Sequence, residues 1–271
     1  MVNESFHFQL GTFNCVVVSD GAVTYSDPAH IFFVNAPKKH LEKELRRHNL
    51  DIERWKQYVS PYSSLLIDTG RHKVIVDTDA GDLEPTTGRL IPNLRAEGIA
   101  PDDIDMIILT HGHPDHIGGN IDSQGKPAFP NARYIMWKDE WNFWTSEPTL
   151  ANLDVDEGIK EALISFASSN LLPIQAQLDL VDHEAEIVPG IRAVAASGHT
   201  PGHIAVEITS GNEQLLHVSD AVLHQIHLEQ PDWYSVFDLS PEQAVNTRHQ
   251  LLSWAVAKKA LVLILTSPSP A

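Results

Sequence analysis

Four side chains able to bind a metal ion fall within six residues in the run Thr110-His111-Gly112-His113-Pro114-Asp115-His116-Ile117-Gly118-Gly119-Asn120. The apolar stretch Met106 to Leu109 precedes it directly. A strand ending in a tight turn there would aim His111, His113, Asp115 and His116 into one space. Imidazole and carboxylate are the donors a zinc-like ion takes, and a catalytic site keeps one coordination position open for water. A polar turn that merely happens to be rich in histidine is the bland alternative, and the H-x-H-x-D-H spacing argues against it.

Two further motifs follow in order: Ser197-Gly198-His199-Thr200-Pro201-Gly202-His203, and Leu216-His217-Val218-Ser219-Asp220. With the first run, they make the chain resemble the metallo-β-lactamase superfamily from its first strands to about residue 265. The resemblance implies an α/β fold, the αββα four-layer sandwich. It also implies two divalent metal ions, zinc first, with manganese, iron or cobalt acceptable to the same donors. By the same resemblance His111, His113 and His199 would hold one ion, Asp115 and His116 the other, and Asp220 would bridge them. Two ions sharing a water lower its pKa and orient it as a nucleophile. Asp115 and Asp220 are the expected catalytic acids, Asp115 orienting the attacking water or accepting its proton. Asp77, in Val76-Asp77-Thr78-Asp79, resembles a ligand-orienting position and reads equally well as a strand-end turn former. Thr110 and Thr200 read as ligand-supporting or turn residues.

The branch most resembled contains N-acyl homoserine lactonases and methyl parathion hydrolase. Asp232-Trp233 through Asp238, together with Pro241, Ala244, Thr247 and Arg248, carries that likeness. The branch places one more histidine ligand after the last strand, opening a segment like His-Phe-Pro-Phe-Pro-Gly. This chain reads Thr266-Ser267-Pro268-Ser269-Pro270-Ala271 there. Thr-Ser-Pro-Ser-Pro is His-Phe-Pro-Phe-Pro read one base out of frame, so a frameshifted C-terminus is one expectation and natural divergence the other. Sequencing the gene with its downstream bases decides between them: a shifted frame without His-Phe-Pro excludes the first. Either way the second ion loses a donor; Thr266 offers a poor neutral oxygen, and His224 or His227 are possible substitutes that nothing in their spacing requires.

The chain has 271 residues, 42% of them hydrophobic, enough for one domain over residues 1–271 with a sizeable core. Its formal charge of −17 argues against nucleic acid as a partner and disfavours anionic membranes and highly anionic substrates. Cys15 has no cysteine to pair with and sits in an apolar run, where a buried structural thiol is expected. No segment has the ~20 apolar residues that cross a bilayer. Met1 to Gln9 lacks the pattern of a secretory signal, so a cytoplasmic location is expected.

Strands are expected at Phe6–Leu10, Phe13–Ser19, Ala22–Tyr25, Ser63–Asp68, Lys73–Asp77 and Ile104–Leu109, with Asp20-Gly21 as a hairpin turn. Further strands are expected at Arg133–Trp137, Leu178–Val181, Ile191–Ala195, Ile204–Ile208, Gln214–Val218 and Ala260–Leu265. Helices are expected over Pro37–His48, Arg89–Glu97, Asp139–Trp144, Val155–Ser168 and Pro241–Ala257, the last capped by Ser240. Two strand clusters with flanking helices suit two packed sheets, and Asp139–Ser169 reads as an inserted helical cap. His203 reads as a support rather than a ligand. His224 and His227 read as exposed loop residues first, pocket residues second. Trp137, Trp141, Phe143 and Trp144 read as packing before pocket. Phe32 and Phe33, in an otherwise loop-like stretch, are candidates for an apolar substrate entrance, and Trp233 for a loop anchor.

The expected activity is hydrolysis of an ester-like bond, a lactone first, in a small neutral substrate with an apolar part. An organophosphate triester is close behind in chemistry, and promiscuous β-lactam opening comes further back. The alternative of another class is a weakly active or inactive metal-binding module, favoured by the altered C-terminus. A homodimer is compatible with the sequence.

Overall fold

The computed structural model describes residues 5–146, 148–153 and 155–265. Seven strands form the first sheet in chain order: β1 (Ser5–Leu10), β2 (Phe13–Ser26), β3 (Gln57–Asp68), β4 (Lys73–Val76), β5 (Met106–Ile108), β6 (Arg133–Trp137) and β7 (Leu178–Val181). β1 to β4 pair antiparallel and β4 to β7 parallel. The second sheet holds β8 (Ala185–Val188), β9 (Ile191–Ala195), β10 (Ile204–Ser210), β11 (Glu213–His217) and β12 (Leu261–Leu263), in the order β12-β11-β10-β9-β8. Only β11–β12 is parallel there. The helices are α1 (Pro28–Phe32), α2 (Lys38–Arg47), α3 (Leu90–Ala96), α4 (Pro114–Ile117), α5 (Lys138–Thr145), α6 (Glu157–Leu171), α7 (Ile226–Glu229) and α8 (Pro241–Lys258).

Side-chain alternation along the strands builds the layers. Leu65, Ile67, Val74, Val76 and Ile108 point into the space between the sheets, where Val206, Ile208 and Leu215 of the second sheet meet them. Leu66, Ile75 and Ile107 point the other way and pack with Leu94 of α3, Trp144 of α5 and Leu171 of α6. Ala205 and Leu216 leave the second sheet on its far side, against Leu251 and Ala255 of α8. The order is therefore helix, sheet, sheet, helix, the αββα sandwich expected from the sequence. Parallel strands need crossovers, and α3, α4, and α5 with α6 occupy the three between β4 and β7. Cys15 is buried between the sheets, and burial pushes its thiol up to about 11, which leaves it inert. Among the described residues no helix is long and apolar enough to cross a membrane.

Three expectations change. Asp20-Gly21 is not a hairpin turn: β2 runs unbroken through it, with a bulge between Ser19 and Gly21. Asp20 is buried and its carboxylate accepts bonds from Leu90 N (2.8 Å) and Gly88 N (3.2 Å), so the pair docks onto the loop before α3. Gly21 has φ 130°, and a Cβ there would meet Thr86 O at 1.9 Å. Phe32 lies in a short helix rather than a loop, with Phe33 directly after it, and both are buried. Ser240 makes no side-chain cap to α8; its backbone N donates to Gly198 O instead, tying the helix start to the second motif. The Thr266–Ala271 tail lies outside the described residues.

Candidate metal centre

β5 ends where the first motif begins, and α4 carries Asp115 and His116 one turn further on. His199 comes from the turn between β9 and β10, and Asp220 from the turn after β11. The two sheets thus bring all six residues together. His113 Nδ1 lies 3.0 Å from His111 Nε2 and 2.9 Å from His199 Nε2. Asp220 Oδ2 is 3.3 Å from His199 Nε2 and 3.7 Å from His111 Nε2. Four donors placed ~2.1 Å from one ion in a tetrahedron would stand about 3.4 Å apart, which these distances bracket. A second group is formed by His116 Nε2, 3.7 Å from Asp115 Oδ2 and 3.3 Å from Asp220 Oδ1. Within each group all donor atoms lie within 4.8 Å of one another. His116 Nε2 and Asp220 Oδ1 are buried without any hydrogen-bond partner. Such orphaned atoms are rare and call for a ligand, and the chemistry of both groups fits divalent cations.

The donors are held from behind. Asp77, at φ 61°, accepts Thr110 N (2.7 Å) and Thr110 Oγ1 (2.8 Å), and its Oδ2 lies 2.8 Å from His116 Nδ1. Asp238 Oδ1 lies 2.9 Å from His199 Nδ1, while its other oxygen accepts Ser235 N at 2.9 Å. Each bond fixes a ring's tilt and leaves Nε2 facing the centre. His203 is a support, as expected: its Nδ1 donates to Ala196 O (3.0 Å) and its Nε2 accepts Asp220 N (3.2 Å). Glu140 was not singled out in the sequence. It is fully buried and accepts Gly112 N (2.8 Å) and Trp144 Nε1 (2.7 Å) on one oxygen, Thr200 Oγ1 (2.7 Å) and Gly202 N (2.8 Å) on the other. One carboxylate on α5 therefore joins the first motif to the second. Arg248, also buried, donates from Nε to Ala221 O at 2.6 Å and so anchors the turn that carries Asp220.

Gly112, Gly118 and Gly119 serve by leaving room. A Cβ on them would come within 2.3 Å of Trp144 Cδ1, 2.0 Å of Ala80 O and 2.3 Å of Thr78 O respectively.

The electrostatics divide the imidazoles. Burial drives His111 and His113 well below the usual range, and the neighbouring His116 and His199 add to it. His199 is equally buried, yet its bonds to Asp220 and Asp238 outweigh that and raise it to about 9. His116 likewise moves up against burial because Asp220, Asp115 and Asp77 surround it, and Asp220 is held down by the same contacts. Burial raises Asp115 above its usual range, and the neighbouring His116 opposes it.

A cavity of 150 Å³ opens onto this centre. His113, Asp115, His199 and Asp220 form its floor, while Phe32, Leu83, Leu163, Leu223 and Phe237 supply apolar walls. Tyr25 and Tyr62 line it too, their hydroxyls 2.6 Å apart. Phe32 thus has the pocket role considered for it; Phe33 turns away into the cluster of Trp55 and Trp233. None of Trp137, Trp141, Phe143 and Trp144 lines the cavity, and Trp141 and Trp144 are core residues, in keeping with packing. Leu163 shows that α6 covers part of the centre as well as the first sheet. His224 and His227 are neither exposed nor at the centre. His227 Nε2 lies 2.9 Å from Phe32 O, and His224 is boxed by Phe33, Trp55 and Tyr58. A wider cleft of 420 Å³ beside Gly81 and Asn170 borders Gly118 and Gly119 but none of the six donors.

Known proteins resemble this chain in sequence and fold. The N-acyl homoserine lactonase of Bacillus thuringiensis is 26% identical over 210 residues, 73% of this chain and 74% of that protein. AidC, a dizinc quorum-quenching lactonase solved with its homoserine product, superposes with a TM-score of 0.87 at 27% identity, covering 99% of this chain and 92% of AidC. The hydrolase AbOPH of the β-lactamase superfamily reaches a TM-score of 0.87 at 24% identity, over 99% and 91% of the two chains, and shows the shared fold. The family model of the metallo-β-lactamase superfamily matches residues 58–263, a span containing all six donors, and this chain belongs to that superfamily as a metal-dependent hydrolase.

Proposed function

We propose that this hydrolase opens the lactone ring of N-acyl homoserine lactones, with zinc as its ion, and so quenches quorum signals. The observation that carries the reading is the cavity. Its floor is the donor cluster, its walls are apolar, and among the described residues lining it there is no lysine or arginine to pair with an anionic substrate. A neutral carbonyl compound with an apolar part fits that lining. At 150 Å³ it is smaller than the pockets that enclose drug-sized ligands, so a lactone head fills it and a longer acyl chain extends beyond it. The lactonase relatives add weight.

When bound, a pair of divalent ions supplies a water of lowered pKa and polarises a carbonyl oxygen. The chain's own residues do the rest. Asp115, on the cavity floor, takes the proton that the water gives up as its oxygen bonds to the carbonyl carbon. The ring C–O bond then breaks, and the same proton passes to the departing ring oxygen, giving a hydroxy acid. The Tyr25–Tyr62 pair faces the cavity with one hydroxyl proton free to donate to the carbonyl oxygen as negative charge grows on it.

The test is a substrate panel on the purified chain with its metal content measured: N-hexanoyl homoserine lactone, a paraoxon-type triester and a chromogenic β-lactam, each with a chelator control. Chelator-sensitive lactone opening, far faster than the other two, is expected. Two bound ions with triester turnover and no lactone opening would move the substrate class. Absence of both metal and turnover would make the chain an interaction module.

A further inference from the structure

The two donor groups are unequal. The first has four protein donors, the second three, Asp115, His116 and Asp220, one of them shared. Beside the second group lies a small enclosed cavity of 20 Å³, whose wall includes those three residues, Asp77 and His217. His217 closes β11 and, by strand alternation, points with Leu215 toward the space between the sheets. It is 1% exposed, and among the described residues neither ring nitrogen has a hydrogen-bond partner. A buried imidazole with both nitrogens unpaired loses its hydration without recompense. Leu or Val would fill that place on the sheet better, so the ring calls for a ligand.

We infer that His217 is a ligand of the second cation group, joining Asp115, His116 and Asp220. The inference rests on the metal-hydrolase reading of the same centre. In the structure the ring stands outside the 4.8 Å cluster but lines the same small cavity as Asp115, His116 and Asp220, so ligation requires its side chain to turn toward them. Once there, the imidazole gives the second group a fourth protein donor, and the orphaned nitrogen is satisfied. His224 and His227 cannot do this, since their rings are engaged around Phe32 and Phe33.

The experiment strips the full chain with a chelator and titrates zinc alone back in. Ring ¹⁵N resonances of labelled histidine are followed, with assignment from a His217→Leu variant, and ion stoichiometry is read by competition with a chromophoric chelator. Two ions per chain are expected, with the His217 resonance moving only as the second equivalent is added. His217→Leu should keep the first ion and bind the second about 100-fold more weakly or worse. Two tightly bound ions with the His217 resonance unmoved would overturn the inference and leave the hydrolase reading standing. Failure of the wild-type chain to bind any zinc would overturn both. If the leucine variant does not fold, His217→Gln supplies the assignment, and the wild-type resonance still decides.

Discussion

Replacing Glu140 by Gln tests whether one carboxylate holds the two halves of the metal centre in register. The wild-type side chain accepts four hydrogen bonds, two on each oxygen, from Gly112, Trp144, Thr200 and Gly202. A glutamine keeps one accepting oxygen and turns an NH₂ toward the other two donors. Two buried donors are then unpaired, each costing ~1–3 kcal/mol, so ~2–6 kcal/mol is lost. Burial pushes the wild-type carboxyl above its usual range despite its four donors, and the variant is relieved of that charge burial. The net loss should therefore fall near the low end, ~2–3 kcal/mol, against a typical domain stability of ~5–15 kcal/mol. Gly112 sits between two donors, and Thr200 and Gly202 follow a third, so His113 and His199 should shift relative to each other. A displacement of order 1 Å at a reacting centre lowers turnover ~100-fold. Urea unfolding of the metal-loaded protein measures the first effect as a lowered midpoint at unchanged slope, and lactone hydrolysis measures the second. A variant within ~0.5 kcal/mol of wild type, the scatter of ordinary surface substitutions, and equal to it in rate would refute the stitching role.

Three more outcomes follow from the same geometry. Asp77→Asn weakens the hold on His116 Nδ1 and Thr110, so the second ion should bind ~10–100-fold more weakly while the first is retained, as a competition titration would show. Tyr62→Phe removes half of the hydroxyl pair above the floor; kcat should fall ~100-fold with little change in KM or in metal content, and an unchanged kcat would remove the pair from the reaction. In the metal-free protein His199, raised to about 9, and His116, also raised, carry protons at neutral pH, so zinc uptake at pH 7 should release protons in a pH-stat, fewer as pH approaches 9. The sign for stability is the one for raised imidazoles: their contribution to the metal-free fold is full below about 6.5 and is lost as pH rises through about 9, so its unfolding midpoint should drop across that window.

The donors were legible in the sequence because coordination needs particular side chains at short spacing, and His111, His113, Asp115 and His116 lie in one turn. Strand positions were legible for the same kind of local reason, since alternation in Leu65–Ile67 or Ile204–Ile208 is set by which sheet face each residue meets. What sequence concealed depends on distant partners. Asp20-Gly21 has the composition of a hairpin turn, yet a buried carboxylate seeking Leu90 N keeps the strand going. Glu140 was one unremarked residue of an expected helix; only the third dimension places four donors around it. Asp238 carried a signal in the stretch from Asp232, but its bond to His199 spans 39 residues. His224 and His227 followed the bridging aspartate closely enough to invite a pocket role, and α7 instead turns them into the aromatic cluster of Phe33, Trp55 and Trp233.

The centre is also a fastening between the sheets. His111, His113, Asp115 and His116 belong to the first sheet's connections, while His199 and Asp220 belong to the second's. The two sets meet at 2.9–3.3 Å through contacts such as His113–His199 and His116–Asp220. The inter-sheet core of Leu65, Ile67, Val206 and Leu215 sets how far apart the sheets stand, and so sets those distances. Large-to-small changes in that core would reach the chemistry as altered donor spacing, with no contact to substrate. The supports are distributed unevenly: the first group is tied across the interface by Glu140 and backed by Asp238, whereas the second group's own imidazole, His116, is backed by Asp77 and borders a small cavity. Loosening of the sandwich should therefore be felt first at Asp115 and His116, the second group's own donors.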